Sequence, residues 1–125
     1  MPIEERRAYR RFNIELPVEY KFASFQENTT QTSTLDISAN GLKLRVMDRP
    51  LMDDEIHLTI DLPETKKVKL AARIVWSKAI EGSSYDVGVH LADTRSEDGK
   101  AFMDFYCQQL FNFIEENKDL GPAIV

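Results

Sequence analysis

The chain has 125 residues, of which 30% are charged and 42% hydrophobic. This balance predicts one soluble, globular domain with a single core and excludes a disordered chain. The formal net charge is −5, and residues 1–11 hold four arginines against two glutamates, so a segment of +2 precedes a body of −7. A nucleic acid polymer or a membrane surface requires a broad basic face, which this body lacks. A compact anionic ligand requires only local arginines.

The N-terminal residues contain no apolar run typical of a signal peptide, and no segment reaches the roughly 20 apolar residues that span a bilayer. The single cysteine, Cys107, cannot form an internal disulfide, which is compatible with a reducing cytosol. The sequence therefore predicts a cytoplasmic protein without membrane insertion.

Alternating apolar and polar residues predict six short strands separated by turn residues. They cover residues 13–25, 29–37, 42–47, 55–62, 68–77 and 85–91. Pro17 within the first strand favours an edge position or a bulge, and Asn40-Gly41 predicts a tight hairpin turn with positive φ. Six strands with regular turns predict a mainly β fold, a closed six-stranded antiparallel barrel that leaves no free edge.

After Leu91 the apolar spacing changes to three and four residues, which predicts one amphipathic α-helix. Thr94 to Glu97 forms a capping box at its start, and Gly121-Pro122 ends it after about Lys118. Five aromatic side chains on this helix predict that it covers the barrel as a lid, or that part of its face is a dimer or partner surface. The predicted organisation is a flexible basic arm at 1–12, the barrel at 13–92 and the packed helix at 93–120.

Two short motifs carry the functional signal. Asp36-x-Ser38-x-x-Gly41 follows the second strand, and in an extended chain Asp36 and Ser38 point to one face while Leu35 and Ile37 point to the other. Upstream, the four arginines cluster within residues 6–11. A guanidinium fork fits phosphate oxygens or the O6/N7 edge of guanine. Taken singly, the first motif is most simply a solvated hairpin and the second a solvated tail.

Together, Arg7-x-x-x-Arg11 and Asp36-x-Ser38-x-x-Gly41 resemble the signature of the PilZ family of bacterial cyclic di-GMP receptors. The resemblance covers about residues 5–91 and implies the same barrel with an appended helix. It implies that Arg7 and Arg11 grip the phosphates and guanine edges, and that Asp36 and Ser38 meet the N1 and N2 donors of guanine. Gly41 would keep the turn close to the ligand.

Three further residues are weaker ligand candidates. Arg6 and Arg10 sit beside the two motif arginines in the chain, and one of them adds a phosphate contact or a guanine stack under this resemblance. Trp76 ends an apolar stripe and is most simply core, but the resemblance places an aromatic near the ligand, where a guanine would stack on it. The histidines, His57 and His90, have no second ligand at metal spacing, so no metal and no cofactor beyond the ligand cyclic di-GMP is predicted.

Three functional classes follow from these motifs. The first is a cyclic di-GMP receptor whose arm orders on binding and signals to an unidentified protein effector. The second is a PilZ-like adaptor that binds no nucleotide, and the third is a small RNA-binding barrel, which the acidic body disfavours. The sequence shows no pairing of nucleophile and base, so an enzyme is not predicted. The aromatic face of the predicted helix leaves two oligomeric states open, a monomer or a weak dimer. Cys107 is predicted to lie on the buried side of this helix.

Overall fold

The computed structural model describes residues 10–24 and 28–117. Within these ranges six strands and one long helix make up the fold. In chain order they are β1 (Pro17–Phe22), β2 (Thr30–Ile37), β3 (Gly41–Val46), β4 (Glu55–Leu62), a short 3-10 turn (Pro63–Thr65), β5 (Lys66–Ile80), β6 (Ser84–Leu91) and α1 (Glu97–Asn117). Within the described ranges no helix is long and apolar enough to cross a membrane.

The strands form a closed barrel in the order β1-β2-β3-β6-β5-β4, and every neighbouring pair is antiparallel. Strand β5, with 15 residues, closes it by pairing with β4 through its first half and with β6 through its second. The predicted six-stranded antiparallel barrel with a C-terminal helix is confirmed. Its interior is filled by alternate side chains of all six strands, because successive residues of a strand face opposite sides of the sheet.

The first strand is shorter than predicted. It begins at Pro17, not at residue 13, so the proline ring takes the first position of the strand, where a missing N–H costs least. The residues before it run along the barrel, and Leu16 is buried. Phe12 exchanges two backbone hydrogen bonds with Ile37, each with an N···O distance of 2.8 Å. The segment from Arg10 to Phe12 is therefore fastened to the end of β2.

The hairpin between β2 and β3 turns at Ala39-Asn40, one residue earlier than predicted. The amide of Ser38 donates to the carbonyl of Gly41 at 2.8 Å, so these two residues close the turn. The prediction of positive φ at Asn40-Gly41 is wrong: among the described residues only Asp53, Glu64 and Gly82 have positive φ. Gly41 already belongs to β3.

Two strands contain a bulge, and each bulge resets the alternation of the residues that follow. In β2 the register shifts between Thr34 and Asp36, and in β5 it shifts between Ile74 and Trp76. A bulge inserts one extra residue into a strand and re-aims the next side chain. Ile74 is buried, whereas Trp76 is 40% exposed. The interpretation of Trp76 as barrel core is wrong because the period of two does not continue through this bulge.

The helix packs on the barrel through its N-terminal half. Phe102 and Tyr106 are buried and belong to the same core as the strands. Ser96 is the N-cap, since its Oγ accepts a hydrogen bond from the amide of Gly99 at 3.0 Å. The N-cap is thus two residues later than Thr94, the N-cap of the predicted capping box. Cys107 is exposed, so its predicted place on the buried side is wrong. The predicted stop at Gly121-Pro122 lies outside the described residues.

Candidate ligand-binding site

A row of four residues crosses the outer face of the barrel from β2 to β5. Asp36 is paired with Lys43, Lys43 with Gly88, and Gly88 with Trp76. Directly opposed residues of antiparallel strands share one face of the sheet. The next row along, from Ile37 through Leu42 and Val89 to Ile74, is buried, so this row faces outward. We call Asp36, Lys43, Gly88 and Trp76 the outer row.

Arg11 extends the outer row beyond β2. Its Nε and Nη2 both donate to Oδ1 of Asp36, at 3.0 and 2.7 Å. The side chains are 30% and 15% exposed, so the ion pair is partly shielded from water. Among the described residues, no hydrogen bond to Oδ2 of Asp36 is present. The sequence motifs, 25 residues apart, are therefore in direct contact, with an acceptor oxygen left beside the guanidinium.

Trp76 lies across Gly88 at the other end of the row. A Cβ at position 88 would lie 2.1 Å from Nε1 of the indole and 2.4 Å from Cε2, so only glycine leaves room for the ring. The indole thus lies on the backbone of β6 and still keeps 40% of its surface exposed. A flat aromatic ring supported on one face is a platform on which a nucleobase stacks.

Lys43 occupies the middle of the row, between the ion pair and the indole. Its Nζ lies 5.8 Å from the centre of the Trp76 ring, within cation–π distance. Within the described part of the chain it has no carboxylate at ion-pair distance. By contrast Arg45, two residues along β3, binds Asp86 with an N···O distance of 2.8 Å, and that hydrogen bond raises the pKa of Arg45.

Ser38 and Gly41 build the turn beneath this row. Ser38 is 1% exposed, and its hydroxyl donates within the turn to the carbonyl oxygen of Gly41 or Oδ1 of Asn40, each at 3.2 Å. A Cβ at Gly41 would lie 2.4 Å from the carbonyl oxygen of Val89, so the two backbones meet at this point. Here glycine permits close strand approach, rather than a left-handed turn.

Arg10 faces the helix instead of the outer row. Its guanidinium carbon lies 3.8 Å from the centre of the Phe113 ring, and its carbonyl oxygen accepts a hydrogen bond from the Tyr106 hydroxyl at 2.6 Å. Next to it, the Phe12 ring packs against Tyr106 and Phe113, with ring centres 5.7 and 6.1 Å apart. The residue beside Arg11 in the chain is thus tied to α1, which links the ion pair to the helix.

The remaining candidates are dispersed or undescribed. Arg6 and Arg7 lie outside the described residues. His57 contacts Glu55 on β4, and the described part of the chain holds no cluster of three potential metal-ligating side chains. Sequence reasoning missed two members of the outer row. It did not single out Lys43, and it did not show that Gly88 leaves room for the Trp76 ring. The sequence shows Lys43 as a polar residue of β3 shortly after the turn, which could have marked it as a candidate. Only the strand pairing shows which residues lie beside it.

Comparison with known proteins adds a family and a set of similar folds. The family model for the PilZ domain matches residues 5–108. No curated protein sequence matches the chain. The inhibitor of motility MotI/DgrA of Bacillus subtilis is 19% identical with a TM-score of 0.69, over 86% of this chain and 52% of that one. The PilZ domain of YcgR from Escherichia coli, solved with c-di-GMP, is 14% identical with a TM-score of 0.65, over 91% of this chain and 98% of that one.

A third similar structure is the complex of K. pneumonia MrkH with c-di-GMP. It is 16% identical with a TM-score of 0.65, over 93% of this chain and 55% of that one. The chain therefore spans about half the length of MotI/DgrA and of MrkH, at 52% and 55%, but nearly all of the YcgR domain, at 98%. At these identities the likeness supports the barrel fold.

Proposed function

This chain belongs to the PilZ domain family, and on that premise we propose that it is a cyclic di-GMP receptor that passes the signal to a protein effector. The observation that supports this most directly is the contact between Arg11 and Asp36. It joins the two motifs into one polar site on the barrel surface. YcgR and MrkH, which share the fold, were solved with c-di-GMP.

The chemistry of the site matches guanine. Guanine presents acceptors at O6 and N7 and donors at N1 and N2, so an arginine fork beside a carboxylate complements both edges. Adenine offers a donor where guanine has O6 and would leave the guanidinium unsatisfied. In this proposal Arg11 and Asp36 read the base, Trp76 supports a stack, and Ser38 and Gly41 hold the turn that follows the end of β2, where Asp36 lies. Arg6, Arg7 and Arg10 are the candidate phosphate ligands.

Transmission to the effector would run through the segment that carries Arg11. Phe12 is bonded to the end of β2 and packs on Phe113, and Arg10 lies on the same ring. A ligand that draws the arginines toward the outer row would loosen or reshape these helix contacts. The helix exposes Phe111 and Ile114 beyond them, at 57% and 46%. We propose this apolar face as the surface the effector senses.

The second candidate is an adaptor that acts only through protein contacts. The exposed Phe111 and Ile114 also favour this function, since large exposed apolar side chains mark protein interaction surfaces. Neither candidate involves turnover of the ligand. The two differ in one measurable property, the binding of nucleotide.

Isothermal titration calorimetry with cyclic di-GMP, cyclic di-AMP and GTP, at two salt concentrations, tests the proposal. A receptor gives saturable binding that prefers cyclic di-GMP and weakens with salt, because charge-assisted contacts to phosphate are screened. An affinity in the micromolar range or better is expected from two arginines, a carboxylate and a stack. No heat and no thermal shift up to about 100 µM ligand, far above that range, would leave the adaptor as the function.

A further inference from the structure

The middle of the outer row carries a cation that the two sequence motifs leave unassigned. We infer that Lys43 is a ligand-binding residue, whose ammonium group contacts the ribose-phosphate ring of cyclic di-GMP between the Arg11–Asp36 pair and the Trp76 indole. This inference rests on the proposed function and adds a residue that neither motif contains. Three strand registers carry it, since they place Lys43 between Asp36 and Gly88 and Gly88 against Trp76.

The spacing of the row suits such a contact. Neighbouring strands lie about 4.8 Å apart, so Asp36 on β2 and Trp76 on β5 are separated by about 14 Å along the sheet. Trp76 leans over Gly88 toward β3, which shortens the gap and brings its ring within 5.8 Å of Nζ of Lys43. A guanine that stacks on the indole or is read by Asp36 is attached to a ring that carries two phosphodiester anions. On the shorter path around the barrel β3 lies between β2 and β6, so the ribose-phosphate ring would have to pass over β3.

The charge of Lys43 is available for a ligand. Arg11 is neutralised by Asp36 and Arg45 by Asp86, whereas Lys43 has no carboxylate partner among residues 10–24 and 28–117. Its side chain is half-buried against the indole, so part of its conformational freedom is already lost before binding. A phosphate oxygen replacing the weak contact with the ring would gain a charge-assisted hydrogen bond without breaking an ion pair.

Calorimetry on Lys43→Gln, Lys43→Arg and wild type with cyclic di-GMP, at low and high salt, tests this inference. Lys69→Gln is the matched control, because Lys69 is an exposed lysine on β5 that lies seven residues, about 23 Å, from Trp76. We expect Lys43→Gln to weaken binding about three- to tenfold at low salt, between the effect of an exposed ion pair and that of a charged hydrogen bond. The loss should shrink at high salt, Lys43→Arg should keep most of the affinity, and Lys69→Gln should bind like wild type.

Two results would overturn the inference while leaving the receptor intact. One is wild-type affinity and salt dependence in Lys43→Gln. The other is an equal loss in Lys43→Gln and Lys43→Arg that salt does not change, which would indicate damage to β3 instead of a lost charge. Thermal unfolding of each variant separates a folded, weakened site from a misfolded chain. Absence of binding by wild type is a different outcome, since it overturns the proposed function itself.

Discussion

The indole of Trp76 fills the space that a side chain at position 88 would need. A Cβ on Gly88 would lie 2.1, 2.4 and 2.7 Å from three atoms of the ring, all of them too close for any real contact. The glycine therefore determines where the indole lies, and with it the exposed aromatic surface at one end of the outer row. Trp76 in turn shields the backbone of β6, so the two residues form one unit.

Gly88→Ala should displace the indole and weaken cyclic di-GMP binding. Losing a base–aromatic stack costs about 1–3 kcal/mol, and we expect a loss in the lower half of that range because the displaced ring can still reach the ligand. The barrel should stay folded, since the clash is with an outward-facing ring that is free to swing into solvent. Trp76 fluorescence gives a readout without ligand: the emission should shift to longer wavelength. An unchanged spectrum together with wild-type affinity would contradict the geometry.

Sequence reasoning predicted the elements of this fold better than the directions of its side chains. The alternation of apolar and polar residues predicted β4 at residues 55–62, and the structure has the strand with the same bounds, Glu55–Leu62. It failed at Trp76 because a strict period of two continues the buried stripe from Ile74, whereas the structure inserts a bulge between them. A bulge is set by the pairing of two strands, and the sequence of one strand does not show it. The same limit applies to the register shift before Asp36.

The outer row could not be predicted from the residue pattern of any single strand, for the same reason. Lys43 is one of several polar residues that alternate with core positions, and nothing local distinguishes it from Arg45 or Lys69. Its place beside Trp76 depends on two strand pairings between residues far apart in the chain. The family motifs imply that Arg11 and Asp36 meet the same ligand, but they do not predict the direct contact between the two side chains. The roles of Arg6, Arg7, Arg10, Arg11, Asp36, Ser38, Gly41 and Trp76 in ligand binding stay predictions.

Gly41→Ala should destabilise the barrel, in contrast to Gly88→Ala. The atom it meets is the backbone carbonyl oxygen of Val89, at 2.4 Å, and a paired strand cannot move aside as a side chain can. Overpacking of this kind costs about 1–3 kcal/mol of the free energy of unfolding. Urea denaturation measures the loss, with Asn40→Ala as the control, an exposed residue of the same turn. Similar stabilities for the two variants would mean that the strand contact has little energetic weight.

Arg11→Ala should reduce cyclic di-GMP affinity at least tenfold, the effect of about 1.4 kcal/mol, and leave the barrel stable. The Arg11–Asp36 pair is partly exposed, at 30% and 15%, so its own contribution to folding is small. Ion pairs of this exposure contribute about 0–1 kcal/mol. Calorimetry gives the affinity and thermal unfolding the stability. A collapse in stability with affinity retained would make Arg11 a structural residue.

Asp36→Ala should impair guanine selectivity more than salt dependence. The carboxylate would accept hydrogen bonds from the base, whereas the salt-sensitive contacts are those of the cations with phosphate. The ratio of affinities for cyclic di-GMP and cyclic di-AMP should therefore fall toward one, while the change in affinity between two salt concentrations stays close to that of wild type. Titration of both nucleotides at each salt concentration measures this. If wild type binds both nucleotides equally, Asp36 does not read the base.

Phe113→Ala should loosen the segment that carries the arginines. Phe113 is the ring on which Arg10 lies, at 3.8 Å, and it also packs against Phe12, whose amide is bonded to Ile37. Aromatic pairs contribute about 0.5–1.5 kcal/mol beyond burial, so the amide of Phe12 should exchange with deuterium about two- to tenfold faster. Phe111→Ala is the matched control, because Phe111 lies on the same helix and is 57% exposed. If the amide of Phe12 exchanges at the same rate in both variants, the helix does not hold the segment. A signal from the arginines to α1 would then need another route.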